Sequence, residues 1–351
     1  MSAVSTGASI SHNSERVAVE SLIGSLPVDA VMANGLPGLS WMDMRGVKFS
    51  EPFFQQTVER LRTQEPTRTE RFTEFDALIQ LEKISDSLRP SGFIFHSSRC
   101  GSTLITNACK AVANSIVISE AAAVDKLAGR FITDAAQGGV KELLYSIFLR
   151  GVVNALGQRR AGDERHFFLK FSCCTVAQLA HIKRIWPGVP WIFMYRDPTE
   201  TIVSNLASLP EWLAADSDPR MLAALINTSD NEIRAMSHAE LCARAIGRFY
   251  SIAGELADSD CMLVNYSQLS VSVLLSMLEF FKVTPSPQEI EGVTRTSQIY
   301  SKDVSSERAF VADVDAKRSL ASPLVSEMAE RWASSSYQLL EQRRRKLSAM
   351  Q

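Results

Sequence analysis

Five short apolar runs alternate with longer amphipathic stretches through the middle of the 351-residue chain. Each run consists mostly of aromatic and aliphatic residues, which predicts a buried strand. The predicted strands cover residues 92–96, 115–119, 166–170, 191–195 and 261–265. The predicted helices cover residues 103–113, 121–157, 175–186, 199–208, 230–257 and 322–346. Such alternation indicates an α/β fold with a parallel sheet and right-handed crossovers.

The first 90 residues differ from this alternating region. Ser50–Leu61 and Thr73–Ile84 begin with polar residues and then place apolar residues on one face, so both predict helices. Residues 35–45 contain many turn-forming residues. The chain divides into a disordered tail, an N-terminal appendage and an α/β domain with a C-terminal helix, at residues 1–16, 17–90 and 91–351. The appendage is either a subdomain that binds a substrate or an arm packed over the sheet edge.

The segment Gly92–Leu104 joins the first predicted strand to a helix through a tight loop. A loop at a helix N-terminus points several backbone N–H groups outward, and such groups bind anions. Arg99 and the hydroxyls of Ser102 and Thr103 add further donors. The segment therefore predicts a site for a phosphorylated nucleotide.

This loop departs from the Walker A motif of ATP- and GTP-binding proteins, which requires G-x-x-x-x-G-K-[ST]. With Thr103 as the final residue of the motif, Ser102 occupies the lysine position and His96 the first glycine position. Gly101 matches the second glycine. The missing lysine argues against a P-loop kinase, which stays open as an alternative.

A second strand-to-helix junction, Trp191–Ser204, carries donors of the same kind. Arg196 follows the apolar strand directly, and Ser204 comes eight residues later on the predicted helix. Ligands of open α/β sheets lie beyond the carboxyl ends of the strands, where separate loops converge. The planar guanidinium of Arg196 suits a phosphate better than a lysine would. Two such junctions in one chain strengthen the prediction of a nucleotide ligand.

These two segments resemble the donor site of sulfotransferases that use 3′-phosphoadenosine 5′-phosphosulfate (PAPS). The family's phosphosulfate loop is usually Pro-[Lys/Arg]-Ser-Gly-Thr-Thr. Here Ser98 stands for the proline, Cys100 for the serine and Ser102 for the first threonine. Arg196 and Ser204 resemble the family's 3′-phosphate site. The resemblance covers about residues 90–310. It implies a P-loop nucleotide-kinase-like fold, PAPS as donor, 3′,5′-adenosine bisphosphate as product and no required metal.

The branches of this family differ in their catalytic base. The cytosolic branch commonly uses a histidine two residues after a lysine, but here Lys170 is followed at that position by Ser172. The tyrosylprotein branch uses a glutamate after the second strand and a lysine after the third. The offsets of Glu120 and Lys170 resemble that branch, which implies Glu120 as general base and Lys170 as the cation near the leaving group.

Both residues also have structural interpretations. Glu120 could be an ordinary helix N-terminal acid, and Lys170 a strand-end lysine that extends toward solvent. As a base near neutral pH, Glu120 would need burial or a tuned pKa. His96 is expected to be an orienting core histidine.

Further donor contacts follow from the resemblance. Tyr266 resembles the tyrosine of a Tyr-Glu-Asp-Leu segment near the adenosine, although Ser267 and Gln268 replace the two acids. Ser301 and Lys302 are candidates for a loop that closes the nucleotide pocket. The donor-binding residues are therefore expected to be Arg99, Cys100, Gly101, Ser102, Thr103, Arg196, Ser204, Tyr266, Ser301 and Lys302.

The composition and charge of the chain indicate which binding partners and which cellular compartment are expected. A net charge of −2 gives no general basic field, so nucleic acid is not an expected partner. No apolar run approaches the ~20 residues of a membrane span, and the N-terminus lacks a signal-peptide pattern. The six cysteines lack metal-ligand spacing and are expected to be buried thiols in the cytoplasm.

The leading hypothesis is a cytoplasmic PAPS-dependent sulfotransferase that acts on a hydroxyl or amine of a small-molecule acceptor. A non-catalytic PAPS-binding interaction protein is a further alternative beside the kinase. A homo-oligomer is left open, and the sequence does not identify the acceptor.

Overall fold

The strands of the protein form two separate sheets. The computed structural model describes residues 17–33, 35–134, 139–214, 218–298 and 319–349. The strands are β1 Ser25–Ala33, β2 Leu36–Asp43, β3 Glu70–Glu74, β4 Gly92–His96, β5 Ser115–Ser119, β6 His166–Lys170, β7 Trp191–Tyr195 and β8 Cys261–Asn265. The first helices are α1 Phe54–Gln64, α2 Asp76–Ile84, α3 Ser102–Lys110, α4 Ala122–Asp134, α5 Val140–Leu156, α6 Leu179–Ile185 and α7 Pro198–Ala207. The later helices are α8 Pro219–Ile226, α9 Asp230–Ala235, α10 His238–Leu256, α11 Val271–Phe280, α12 Pro287–Gln298, α13 Pro323–Ala329 and α14 Ser335–Ser348.

The larger sheet is parallel and has the strand order β5-β6-β4-β7-β8. The five strands occupy the predicted segments, and helices flank the sheet. This architecture confirms the predicted α/β fold with a P-loop nucleotide-kinase-like sheet. Because all five strands run in the same direction, the segments that follow them meet at one edge.

Successive residues of these strands pack into two different cores. Phe93 and Phe95 of β4 belong to one apolar cluster, whereas Ile94 belongs to the other. On β7, Phe193 lies in the first cluster and Ile192 in the second. Side chains of a strand alternate between its two faces, so a sheet covered on both faces needs apolar residues at every position. That requirement explains the continuous apolar runs.

The smaller sheet is antiparallel, with the order β1-β2-β3, and the sequence did not predict it. Residues 35–45 were expected to be turn-rich, yet most of them form β2. Gly38 permits the close pairing, because a Cβ atom there would lie 2.1 Å from the carbonyl oxygen of Thr73. Trp41 of β2 is fully buried and donates from Nε1 to Thr73 Oγ1 over 2.8 Å. The N-terminal sheet thus contributes to the same apolar cluster as the central sheet.

Several helices differ in detail from their predicted bounds. The stretch 230–257 is two helices, because Ser237 accepts a hydrogen bond from the N–H of Glu240 and caps the second one. The first half of 175–186 is a 3-10 turn, Cys173–Gln178. A π-helical segment, Glu330–Ser334, joins α13 to α14. The predicted tail, residues 1–16, lies outside the described residues. In the described ranges, no helix is both long and apolar enough to cross a membrane.

Candidate functional site

A cavity of about 1450 Å³ opens at the carboxyl ends of β4, β5 and β6. The segment after β4 lines it with Ser98–Thr103, and Glu120 and Lys170 line it at the ends of β5 and β6. The N-terminal appendage adds Phe53, Gln55, Gln56 and Glu59. The sheet therefore brings the predicted phosphate loop and both predicted catalytic residues to one cavity, as the common direction of its strands requires.

The loop between β4 and α3 has an unusual backbone. Ser98, Arg99 and Gly101 have positive φ angles of 70°, 46° and 85°. Such angles are costly for side-chain-bearing residues and concentrate at functional sites. A side chain at Gly101 would also approach the rings and methyls of Tyr266 and Leu269 to 3.0 Å. Ser102 and Thr103 begin α3, where the first N–H groups have no partner within the helix. A loop that ends at a helix N-terminus in this way favours anions.

Three side chains of this loop form hydrogen bonds with other parts of the protein. Arg99 donates to the carbonyl oxygen of Ser208 over 2.6 Å and to its hydroxyl over 3.0 Å. Cys100 is fully buried, and its Sγ donates to the carbonyl of Met194 over 3.2 Å. Ser98 donates to Asn205 on α7 over 2.9 Å. Cys100 therefore anchors the loop to the sheet through its buried thiol.

Glu120 and Lys170 form an ion pair, with 2.6 Å between Oε1 and Nζ. Their strands are neighbours, with Ser119 opposite Lys170, and the Glu120 N–H donates to the Lys170 carbonyl over 2.8 Å. Glu120 has a φ of 54°, a left-handed conformation that costs energy for any residue but glycine. Lys170 is only 1% exposed, and its Nζ lies 4.8 Å from the centre of the Phe53 ring.

His96 completes this group, which we call the cleft cluster: His96, Glu120 and Lys170. His96 Nε2 lies 3.3 Å from Glu120 Oε1. Its Nδ1 accepts a hydrogen bond from the N–H of Ser98 over 3.1 Å, so the proton of the neutral ring resides on Nε2 and faces Glu120. His96 is buried, as expected for an orienting histidine.

The cleft cluster shifts the acidity of its members. Burial alone would raise the pKa of Glu120, but the charge of Lys170 and the contact with His96 outweigh it and hold that pKa well below its usual range. Burial opposes protonation of His96, but contacts with Cys100 and Glu120 raise its pKa above the usual value. Glu120 is thus a stable carboxylate, although the sequence had indicated that an efficient base there needs a pKa near neutrality.

The second phosphate motif lies on the other side of the loop. Arg196 is buried and donates from Nε to Glu200 Oε2 over 2.7 Å. Its guanidinium carbon lies 4.1 Å from the centre of the Tyr266 ring. Because Tyr266 also packs against Gly101, the two phosphate motifs are continuous in space.

The remaining predicted donor residues differ in what the structure describes. Ser204 lies half-buried on α7. Arg196, Ser204 and Tyr266 are not among the described residues that line the main cavity. Ser301 and Lys302, the candidates for a closing loop, lie outside the described residues.

Sequence reasoning missed two contributors to the cavity. Phe53 covers Lys170, but the pattern around it indicated only a helix with one apolar face. Asp125 lines the cavity from the first turn of α4, where an acid is common for reasons of the helix dipole alone. Its position five residues after Glu120 was the available signal, since it places Asp125 little more than one turn beyond a strand end.

Comparisons with known proteins give matches only in structure. No protein-family model matches the chain, and no curated protein sequence matches it. A sulfotransferase domain from the curacin biosynthetic pathway is 12% identical, with a TM-score of 0.38, covering 73% of this chain and 98% of that one. A sulfotransferase from Alicyclobacillus acidocaldarius is 16% identical, with a TM-score of 0.37, covering 71% and 99%. The sulfotransferase domain of the Synechococcus PCC 7002 olefin synthase is 17% identical, with a TM-score of 0.36, covering 73% and 94%.

Proposed function

We propose that this protein is a PAPS-dependent sulfotransferase that transfers a sulfuryl group to a hydroxyl or amine of a small-molecule acceptor. One observation carries the proposal. An anion-shaped loop at the start of α3 lines the same cavity as the Glu120–Lys170 pair, whose charged atoms are 2.6 Å apart. That combination supplies a phosphate site, a cation and a carboxylate side by side.

The residues present suit the donor. The first turn of α3 and the hydroxyls of Ser102 and Thr103 would bind the phosphosulfate, because helix N-termini favour anions. Arg196 would bind the 3′-phosphate, and its contact with Glu200 fixes the direction of its planar donors. Tyr266, stacked on Arg196, would lie beside the adenosine.

The reaction requires positioning and charge stabilisation more than covalent chemistry by the protein. The acceptor oxygen forms a bond to sulfur while the bond from sulfur to the donor's phosphate oxygen breaks, and that oxygen keeps the electron pair. Lys170 would stabilise the negative charge that develops on the phosphate. Glu120 would take the proton of the acceptor, and His96 would hold its carboxylate in place.

The N-terminal appendage would form the acceptor side of the cavity. Phe53, Gln55, Gln56 and Glu59 line it from α1 and the residue before this helix. The cavity volume of about 1450 Å³ exceeds the ~300–1,000 Å³ typical of a single small-ligand site. It therefore has room for a second substrate beside the phosphosulfate.

The cytoplasm is the proposed location. All six cysteines are buried free thiols, which fits a reducing compartment. The kinase alternative lacks support at the loop, where Ser102 begins α3 at the position of the Walker lysine.

Thermal unfolding with 3′,5′-adenosine bisphosphate tests the proposal. At a ligand concentration about 100 times Kd, binding stabilises the native state by about 2.7 kcal/mol, which raises Tm by roughly 3–6 °C for a chain of this size. We expect this rise without magnesium, and we expect Arg196→Ala to abolish it. The matched control is Arg248→Ala, which removes an exposed arginine on α10 that does not line the cavity. A response only to ATP with magnesium would replace the sulfotransferase with a kinase.

A further inference from the structure

A second carboxyl faces the cavity beside Glu120. Asp125 is in the first turn of α4 and lines the cavity with the cleft cluster. Its Oδ1 atom is shielded from solvent and, among the described residues, has no hydrogen-bond partner. Such an atom is costly in a folded protein unless a proton or a ligand takes the place of the partner. Because Asp125 lines the cavity, this oxygen is placed to bind a proton or a ligand there.

Groups from several elements surround this carboxyl. They are Glu120 before α4, His96 at the end of β4, Ser172 and Cys173 after β6, and Tyr145 on α5. The hydroxyl of Tyr145 is also buried without a partner in the described part of the chain. Of the cations on the adjacent elements, Lys126 pairs with Asp29 at 2.6 Å and Arg220 with Asp218 at 2.8 Å. Asp125 thus lies in a polar pocket and shares the cavity with the carboxylate of Glu120.

The two carboxyls of the cavity differ in basicity. Burial and the negative charge of Glu120 raise the pKa of Asp125 to about 7, while Ser172 and His96 act in the opposite direction. Glu120, held by Lys170 and His96, has its pKa shifted the other way. Neighbouring carboxyls with separated pKa values commonly divide the acid and base roles of a site. Both carboxyls line one cavity and Oδ1 of Asp125 has no hydrogen-bond partner among the described residues, so Asp125 is placed to receive a proton from Glu120.

We propose that Asp125 is the final acceptor of the proton that leaves the acceptor substrate. This proposal rests on the proposed sulfuryl transfer. As the acceptor oxygen bonds to sulfur and the donor's S–O bond breaks toward the phosphate, the proton moves from the acceptor to Glu120 and then to Oδ1 of Asp125. Asp125 begins the turnover as a carboxylate and ends it as a carboxylic acid, which solvent deprotonates before the next cycle.

Transfer from ³⁵S-labelled PAPS tests this role, with water, phenol and dodecanol as acceptor probes, all of which keep their proton between pH 5 and pH 9. The wild-type rate should rise with pH through about 7, because Asp125 must be ionised to receive the proton. In Asp125→Asn, the rate should no longer rise with pH through about 7; we call this rise the pH limb. The rate at pH 7.5 should also be about a hundredfold lower, which is the size of an acid–base contribution. Asp125→Glu should restore the limb. Asp163→Asn, which alters an exposed carboxyl before β6, should match the wild type.

Stabilisation by 3′,5′-adenosine bisphosphate, measured on each variant, separates the two proposals. If Asp125→Asn keeps this stabilisation together with the full rate and the pH limb, the role of Asp125 is overturned while the transferase stands. A wild type that transfers to none of the three probes and is not stabilised by 3′,5′-adenosine bisphosphate overturns the transferase and this role with it. If Asp125→Asn does not fold, ¹³C NMR of aspartate-labelled protein decides. An aspartate that titrates near pH 7, and lower in Glu120→Gln, supports the role, whereas none above pH 6 overturns it.

Discussion

Two clusters in this protein pair a histidine with a glutamate at the same distance. In the cleft cluster, His96 Nε2 lies 3.3 Å from Glu120 Oε1, and Lys170 contacts the same oxygen at 2.6 Å. In a second group, which we call the lateral cluster, His181 Nδ1 lies 3.3 Å from Glu142 Oε1, and Arg184 contacts that oxygen at 2.7 Å. Residue types and distances alone therefore do not distinguish the two.

The lateral cluster even has the composition of a Ser-His-Glu triad. Ser146 Oγ lies 3.0 Å from His181 Nε2. Arg184, however, lies 2.9 Å from Nδ1 and can only donate, so the ring proton is on Nε2. Ser146 donates its own proton to the carbonyl of Glu142 over 2.8 Å. His181 cannot take a proton from this serine, which is what a triad requires.

Burial explains the rest of the difference. Lys170 is 1% exposed, whereas Arg184 is 61% exposed and held in solvent. Exposed ion pairs contribute little, since water and salt screen them. Contacts with Cys100 and Glu120 raise the pKa of His96, whereas burial and the charge of Arg184 lower that of His181. A functional site is therefore recognised by where its charges lie and by what its hydrogen bonds leave available.

Removing the cation of each cluster should give the largest contrast. We expect Lys170→Met to lower the transfer rate from ³⁵S-labelled PAPS by about 10²–10³, the usual loss when a group that stabilises transition-state charge is removed. Arg184→Met should stay within about twofold of the wild type, because Arg184 does not line the cavity and its charge is exposed to solvent. Equal losses in both variants would remove the functional distinction between the clusters.

The difference in stability between a glycine and an alanine variant should have opposite signs at Glu120 and Glu142, because their backbone conformations differ. Glu120 has a left-handed conformation that costs about 1–2 kcal/mol for residues other than glycine, so Glu120→Gly should be about 1 kcal/mol more stable than Glu120→Ala. Glu142 is in α5, where glycine is worse than alanine by about 0.5–1 kcal/mol, so Glu142→Gly should be the less stable of its pair. Urea unfolding of the four variants measures both differences. A Glu120→Gly variant less stable than Glu120→Ala would show that Glu120 carries no strain.

Histidine titration by NMR should show the smallest effects. Glu120→Gln should lower the pKa of His96, because it removes an ionised partner, and Arg184→Met should raise the pKa of His181. Since the folded pKa of His96 is raised, its protonation stabilises the fold below the unfolded value of about 6.5, and this contribution disappears as pH rises through the folded pKa. A His96 resonance unmoved by Glu120→Gln would mean that the two side chains are uncoupled.

The central sheet could be predicted from the sequence because both of its faces are buried. Both faces of β4 are buried, so the consecutive residues Phe93, Ile94 and Phe95 are all apolar. Such a continuous apolar run can be recognised in the sequence alone. The antiparallel sheet was hidden because Gly38, which permits close pairing with Thr73, is also a turn former. Local pattern reveals continuous burial but not pairing between strands that are distant in sequence.

The same distinction applies to the site. Glu120 and Lys170 were chosen as a pair because their offsets and their positions at strand ends resemble the tyrosylprotein branch, and the two strands are neighbours in one parallel sheet. The outward direction of Arg99 and the burial of the Cys100 thiol depend on contacts with Ser208 and Met194, more than 90 residues away. The signal for Asp125, its position five residues after Glu120, was weak, because an acid in a first helical turn is ordinary. Its importance comes from the cavity it faces.

The N-terminal sheet packs against residues that are translated much later, so its packing is completed only late in synthesis. The N–H of Gly24 donates to Gln158 Oε1 over 3.2 Å, across 134 residues of sequence. At ~5–20 residues per second, Gln158 leaves the ribosome about 7–27 s after Gly24. Until then Leu26 and Trp41, both fully buried in the finished protein, lack the surface that covers them. The apolar residues of the N-terminal sheet therefore stay uncovered for that time during synthesis.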